Sequence, residues 1–178
     1  ALRILGPKAE AALIADPEAE DTHPWHALLR AFVAVRARIA DEEIARARAA
    51  GVAQVVILGA GLDTFAYRQP PESGLRVFEV DHPATQVVKR EVMDRIGAPE
   101  NLRFVAVDFE RDDFVEKLRE AGFAPDRHSL VVWMGVTYYL TAQAMTRALC
   151  QIHTLGGAGM RFLFDYMLKE VVKGVSRN

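Results

Sequence analysis

A single cysteine, Cys150, occurs among the 178 residues of this sequence, which excludes an internal disulfide bond. That scarcity is typical of proteins in a reducing compartment, and we expect a cytoplasmic location. The cysteine and histidine spacing of a structural zinc site does not occur either. We therefore predict that the protein holds no metal ion.

Long apolar runs are also lacking, since no stretch approaches the ~20 residues that a membrane-spanning helix needs. Residues 1–8 lack the pattern of a signal peptide and are more typical of the middle of a helix, so we expect the natural chain to begin upstream. Neither sign of charge dominates, because the formal net charge is -2. We accordingly predict neither nucleic acid nor a membrane as a partner.

What is present is the composition of one globular domain, with 51% hydrophobic and 26% charged residues. The periodicity of apolar residues divides the chain into a helical cap at 1–50 and an α/β unit at 51–178. Within the cap, residues 1–22 predict a short helix followed by an acidic loop. Pro24 to Ala50 predict a longer helix that ends before Gly51.

After residue 51, short apolar runs alternate with helical stretches. The predicted strands are Gln54 to Leu58, Leu75 to Asp81, Leu102 to Asp108, Leu130 to Met134 and Met160 to Asp165. The predicted helices between them are Pro83 to Ile96, Asp112 to Ala121 and Ala142 to Leu155. This alternation predicts a parallel sheet with right-handed crossovers and helices on both faces, which is a Rossmann-like α/β fold.

The first strand leads into a glycine-containing loop with the sequence GAGLD. Ligands of doubly wound sheets bind beyond the carboxyl ends of the strands, where glycines permit a tight turn and close approach of the backbone. We predict that Gly59, Ala60 and Gly61 line a cofactor. A dinucleotide fingerprint would need a third glycine where this chain has Thr64, so a pyrophosphate is disfavoured. Asp63 is expected to hold the loop through its own side chain.

Acidic residues follow the next two strands at the same edge. Glu79 and Asp81 end the second strand, where a carboxylate can accept hydrogen bonds from ribose hydroxyls. Asp108 and Phe109 follow the third strand, and an acid beside an aromatic ring suits the amino group and ring face of adenine. Each acid alone is equally explained as a helix cap. The glycine loop and both acids in this order favour S-adenosylmethionine, which has no phosphate to hold.

The same segments resemble the leucine carboxyl methyltransferase family, especially its bacterial O-methyltransferases. The resemblance is carried by VILGAGLDTFAYR at 56–68, VFEVDHP at 77–83, VDF at 107–109 and WMGVTYYL at 133–140. It implies a class I methyltransferase fold, S-adenosyl-L-methionine as cofactor, and methyl transfer to a carboxylate or hydroxyl of a small molecule. Sheets of that class continue beyond a fifth strand, so the resemblance also implies that the last strands are lacking here.

The resemblance further implies roles for individual residues. Asp81 would hold the ribose, with Glu79 as the second choice, and Asp108 with Phe109 would hold adenine. Arg36, or else Arg38, would pair with the carboxylate of the methionine part, because a guanidinium can grip a carboxylate with two hydrogen bonds. The alternative is that both arginines belong to a solvated helix face with the acids at 41–43.

One position departs from the family pattern. Met134 follows Trp133 where family members usually carry a glutamate, which is expected to bind the ammonium group of the cofactor. Methionine cannot accept that charge-assisted hydrogen bond, which is worth roughly 1.5–3 kcal/mol. A catalytically weak or inactive methyltransferase fold that binds a ligand is therefore the competing hypothesis. A nicotinamide-dependent oxidoreductase is disfavoured by Thr64.

The sequence assigns no catalytic base. A carboxylate acceptor needs none because it is already ionised, whereas a hydroxyl acceptor needs one. His82 and His153 are the candidates, and either is better explained as a surface or capping histidine. Tyr138 and Tyr139 follow the fourth strand, and we expect one to pack in the core and the other to line the pocket. The acceptor and the oligomeric state cannot be read from this sequence.

Overall fold

The computed structural model describes residues 6–17, 24–70, 73–156 and 159–168. The predicted acidic loop falls mostly outside these residues, as does the C-terminal stretch from 171 to 178.

Two helices precede the sheet, α1 (Pro7–Ala15) and α2 (Pro24–Ala49). The long helix ends as predicted, because Gly51 adopts a φ of 91° and donates its N–H to the carbonyl of Arg48 at 2.9 Å. In the described part of the chain, no helix is long and apolar enough to cross a membrane.

A parallel sheet with the order β3-β2-β1-β4-β5 forms the centre of the molecule. Its strands are β1 (Gln54–Leu58), β2 (Arg76–Asp81), β3 (Leu102–Ala106), β4 (Ser129–Trp133) and β5 (Arg161–Phe164). The helices that connect them are α3 (Pro83–Ile96), α4 (Phe114–Glu120) and α5 (Ala142–Leu155). The predicted α/β architecture is thereby confirmed, with boundaries within two residues of those expected from the sequence.

Both faces of the central strands are buried, which is why β1 and β4 read as continuous apolar runs. On one face Val56 and Phe78 pack in a cluster that includes residues of α4 and α5. On the other face Val55 and Val77 pack in a cluster that includes Ile44 of α2. Helix α2 therefore shares its core with the sheet.

The strand order changes direction at β1. The chain runs from β1 to β2 and β3 on one side and then crosses to β4 and β5 on the other side. The loops that follow β1 and β4 both lie at this switch point on the carboxyl edge of the sheet, which is where doubly wound folds bind ligands. Glycines stand just after both strands, Gly59 after Leu58 and Gly135 two residues after Trp133.

Candidate active site

The loop after β1 requires glycine at two positions for different reasons. Gly59 has a φ of 68°, and a Cβ there would lie 2.2 Å from Cγ2 of Val136 in the loop after β4. Gly61 has a φ of 50°, but a Cβ there would meet no atom within 4 Å. Gly59 thus allows the two loops to meet, whereas Gly61 faces open space in which a ligand can approach the backbone. Ala60 between them is only 7% exposed and packs in the core.

Asp81 connects this loop to the end of β2. One oxygen of its carboxylate accepts the backbone N–H of Gly61, and the other accepts the N–H of His82 at 2.6 Å. The side chain is half-buried at the carboxyl edge. An anionic acceptor is therefore held rigidly beside the open face of the glycine loop.

A cleft of about 410 Å³ brings four of the predicted site residues together, and we call it the edge cleft. Gly59, Asp81, Asp108 and Phe109 all line it, together with the loop after β4. Asp108 stands two residues beyond β3, and its Oδ1 accepts the N–H of Glu110 at 2.9 Å. The ring of Phe109 packs edge-on against Phe114, with ring centroids 5.9 Å apart.

Glu79 does not belong to the edge cleft. Its side chain is 1% exposed and forms an ion pair with Lys89 of α3, which is equally buried. Burial raises the pKa of Glu79 to about 7, although the Lys89 cation acts in the opposite direction. The prediction of Glu79 as a second ribose ligand is therefore wrong, because the carboxylate is covered by packing and already paired.

Lys89 also reaches the glycine loop. Its ammonium group donates to the backbone carbonyl of Asp63 at 2.8 Å. Oδ1 of Asp63 in turn accepts the N–H of Phe65 at 2.6 Å, so Asp63 holds the loop through its own side chain as expected. Burial raises the pKa of Asp63. Nothing in the sequence distinguishes Lys89 from an ordinary surface lysine, and its role was not predicted.

The two arginines of α2 have different environments. Arg38 is 78% exposed and pairs with Glu42 one turn along the helix at 2.5 Å. Arg36 is 21% exposed and turns toward the sheet, where its Nη1 lies 3.2 Å from the hydroxyl of Tyr138. Its guanidinium lies over Gly135, since a Cβ on that glycine would be 2.5 Å from Nη1. The solvated-face interpretation thus describes Arg38, whereas Arg36 lies against Tyr138 and Gly135.

Arg36 lines a second concavity of about 360 Å³, which we call the Arg36 cavity. Its walls are mainly apolar and come from α2, the loop after β4 and the segment after β5. The lining residues are Phe32, Val35, Arg36, Ile39, Met134, Tyr138, Asp165, Tyr166, Met167 and Leu168. Met134 and Arg36 therefore line the same cavity.

Asp165 is the other charged residue of the Arg36 cavity, and sequence reasoning did not select it. Oδ1 of Asp165 accepts the N–H of Gly135 at 2.7 Å, and Oδ2 lies 3.7 Å from Nη1 of Arg36. The available signal was its place directly after β5, because Asp81 was selected from the same kind of position at the end of β2.

The remaining candidates for catalysis are less central. His82 caps α3, since its Nδ1 accepts the N–H of Ala84 at 3.3 Å, and His153 is exposed on α5. Both histidines are thus the capping or surface residues that the sequence favoured. Tyr138 is 38% exposed and Tyr139 is 79% exposed, so the expectation that one of them packs in the core is wrong. The turn that carries them lies outside the sheet, over the carboxyl edge.

No cluster of three or more metal-ligating side chains occurs in residues 6–17, 24–70, 73–156 and 159–168. The arrangement instead offers carboxylates, an arginine and backbone N–H groups around two adjoining concavities. Gly135 lies between them, because it lines the edge cleft and supports the guanidinium of Arg36. Such a set can hold an elongated ligand with a nucleoside at one end and charged groups at the other.

The sequence profile of the leucine carboxyl methyltransferase family matches residues 4–153. A provisionally named S-adenosyl-L-methionine-dependent methyltransferase of Mycolicibacterium smegmatis is 42% identical over 137 residues, covering 76% of this chain and 46% of that protein. A protein of Mycobacterium tuberculosis with the same provisional name is 44% identical over 128 residues, covering 71% of this chain and 42% of that protein. This chain spans less than half the length of these relatives.

The fold is also that of solved methyltransferases. A provisionally assigned methyltransferase from Thermobifida fusca superposes with a TM-score of 0.58 at 19% identity, covering 96% of this chain and 67% of that one. At that identity the likeness shows a class I methyltransferase-like α/β fold and nothing finer. The profile match, which extends over most of the sequence, shows more: this chain belongs to the leucine carboxyl methyltransferase family.

Proposed function

We propose that this chain binds S-adenosyl-L-methionine and supports transfer of its methyl group to an oxygen atom of a small molecule. The observation that carries the proposal is the position of Arg36. It leaves the solvated face of its helix and lies beside the edge cleft that Gly59, Asp81, Asp108 and Phe109 line. The names of the relatives from Mycolicibacterium smegmatis and Mycobacterium tuberculosis support the same cofactor.

The edge cleft has the donor and acceptor groups for the adenosine part of the cofactor. Both oxygens of Asp81 already accept backbone N–H groups, but each carboxylate oxygen has a second lone pair that can accept from a ribose hydroxyl. Asp108 and the ring of Phe109 line the same cleft for the adenine amino group and ring face. The open space at Gly61 allows backbone contact with the ligand.

The Arg36 cavity suits the methionine part of the cofactor. The guanidinium of Arg36 can bind the carboxylate of that part, because a planar cation can donate two parallel hydrogen bonds. The bound cofactor supplies a methyl group activated by a sulfonium, so the protein mainly has to align the acceptor and exclude water. The apolar walls of this cavity, including Phe32 and Ile39, are suited to water exclusion.

We propose a carboxylate or a hydroxyl as the acceptor. A carboxylate requires no base, which agrees with the capping role of His82 and the exposed position of His153. The competing function is that of a binding protein without turnover, and Met134 is the observation that favours it. This chain spans less than half the length of these relatives, so the methyltransferase activity of a full-length protein is likewise proposed.

Calorimetry with S-adenosylmethionine, S-adenosylhomocysteine and NAD tests the cofactor. We expect binding of the first two and none of NAD, whereas binding of NAD alone would contradict the proposal. Transfer of a labelled methyl group to a panel of small carboxylic acids and alcohols then tests turnover. Binding without transfer to any member of the panel would favour the binding-protein alternative.

A further inference from the structure

The Arg36 cavity contains opposite charges in an otherwise apolar setting. Nη1 of Arg36 and Oδ2 of Asp165 are 3.7 Å apart, and each side chain is 21% exposed. The rest of the cavity lining carries no charge at neutral pH and includes Met134. A ligand that enters this cavity therefore meets one cation and one anion side by side.

Neither partner has exhausted its hydrogen bonding. A separation of 3.7 Å is longer than a hydrogen bond, so the pair is in contact by charge alone. Among the described residues, Oδ1 of Asp165 accepts the N–H of Gly135 and Oδ2 accepts none. The guanidinium of Arg36 has five N–H donors and uses one on Tyr138.

The register of the sheet explains why Asp165 stands where it does. Trp133 of β4 pairs with Phe164 of β5, so Met134 and Asp165 follow at neighbouring positions on adjacent strands. The N–H of Asp165 still donates to the carbonyl of Trp133 at 3.3 Å, which keeps the two chains side by side beyond the last paired residues. The carboxylate that position 134 lacks is thus available from Asp165, at the neighbouring position on the adjacent strand.

We propose that Asp165 binds the ammonium group of the cofactor's methionine part and thereby supplies the carboxylate that Met134 does not. The inference rests on the proposed function and deepens it. An amino-acid zwitterion needs a cation for its carboxylate and an anion for its ammonium, and Arg36 with Asp165 offers both. Both bonds replace the loose ion pair, so neither charge is left unpaired when the ligand binds.

The other acids of the edge are committed elsewhere. Glu79 is buried against Lys89, and Asp63 accepts the N–H of Phe65 within its own loop. Asp81 holds Gly61 and His82 and lines the edge cleft, not the Arg36 cavity. Asp165 is the one acid that lines the cavity with Met134 in the described part of the chain.

The test compares two ligands on the whole chain by calorimetry. S-adenosylhomocysteine carries the amino-acid zwitterion, and 5′-methylthioadenosine has the same nucleoside without it. We expect Asp165→Asn to weaken the binding of S-adenosylhomocysteine by roughly 10- to 100-fold and to leave the affinity for 5′-methylthioadenosine unchanged. The amide oxygen of asparagine can still accept the N–H of Gly135, so the variant retains that structural hydrogen bond. Asp126→Asn, at an exposed loop position, is the matched control and should change neither affinity.

A second variant separates ligand binding from a structural role. Adding Met134→Glu to Asp165→Asn should restore most of the lost affinity for S-adenosylhomocysteine, because the carboxylate returns on the neighbouring strand. An unchanged affinity in Asp165→Asn, an equal loss for both ligands, or no restoration by Met134→Glu would overturn the inference. If the wild-type chain bound neither ligand, the proposed function itself would fail, and that outcome is distinct from all three.

Discussion

The carboxylate of Asp81 and the backbone N–H of Gly61 are hydrogen-bonded across the carboxyl edge, which links the end of β2 to the glycine loop after β1. This bond fixes the position of the loop. The Cα of Gly61 still faces open space, so a ligand can approach the loop there. The carboxylate thus positions the loop, and we propose that it also accepts a hydrogen bond from the ribose.

Replacement of Asp81 should reveal both tasks. We expect Asp81→Ala to weaken the binding of S-adenosylhomocysteine by at least about tenfold, since hydrogen bonds to a charged group are worth roughly 1.5–3 kcal/mol. Calorimetry measures this loss, and Asp94→Asn on the exposed face of α3 serves as the control. Wild-type affinity in Asp81→Ala would remove Asp81 from the site.

The two glycines of the loop predict opposite phenotypes. Gly59→Ala places a Cβ 2.2 Å from Val136 at a φ of 68°, so we expect a loss of roughly 2–4 kcal/mol in the free energy of unfolding. Gly61→Ala meets no atom within 4 Å and should cost only about 1–2 kcal/mol of backbone strain. We expect its methyl group to hinder the approach of the ligand to the loop backbone.

Urea denaturation and calorimetry on both variants distinguish these effects. Val136→Ala combined with Gly59→Ala should recover part of the lost stability, because the nearest contact is a side-chain methyl group. Equal destabilisation by the two single substitutions would contradict the assignment of Gly59 to packing and of Gly61 to the ligand face.

Arg36 and Arg38 form a matched pair two residues apart on the same helix. We expect Arg36→Ala to weaken the binding of S-adenosylhomocysteine by roughly 10- to 100-fold. The affinity for 5′-methylthioadenosine, which lacks the carboxylate, should not change. Arg38→Ala should leave both affinities unchanged, since Arg38 is 78% exposed and pairs with Glu42 on its own helix. Calorimetry with both ligands measures this difference, and loss of affinity in Arg38→Ala alone would reverse the assignment.

How far the sequence alone reached depended on whether a feature is local. Strand β1 and the loop with Gly59 follow from a short apolar run and its glycines, which act over a few residues. The choice between Arg36 and Arg38 required knowledge of which helix face packs on the sheet, and the apolar pattern of α2 did not decide it. Asp165 acquires its position only when β5 pairs with β4, a contact between segments far apart in the chain.

For Glu79 the sequence led to a wrong assignment. An acid near the end of β2 suggests a ribose ligand, but the sequence does not show where α3 packs against that strand. Lys89, ten residues later, covers that face and turns Glu79 into a buried partner. The sequence contains both residues, but their pairing depends on how α3 packs against the sheet.

The Glu79–Lys89 pair predicts a specific pH dependence. Burial raises the pKa of Glu79 from 4.5 to about 7, so the folded state binds that proton more tightly than the unfolded chain does. The contribution of this group to stability is therefore complete below about pH 4.5 and is lost as the pH rises through about 7. Lys89→Met removes the cation that lowers the pKa, so the pKa of Glu79 should rise further.

We expect Lys89→Met to lose roughly 3–5 kcal/mol of unfolding free energy at high pH, because an unpaired carboxylate remains buried. The loss should shrink as the pH falls and Glu79 becomes protonated, and urea denaturation between about pH 5 and about pH 9 measures it. Glu79→Gln combined with Lys89→Met removes the titrating group and should abolish the extra pH dependence while restoring part of the stability. A pH-independent deficit that persists in the double variant would show that Lys89 acts through its bond to the carbonyl of Asp63.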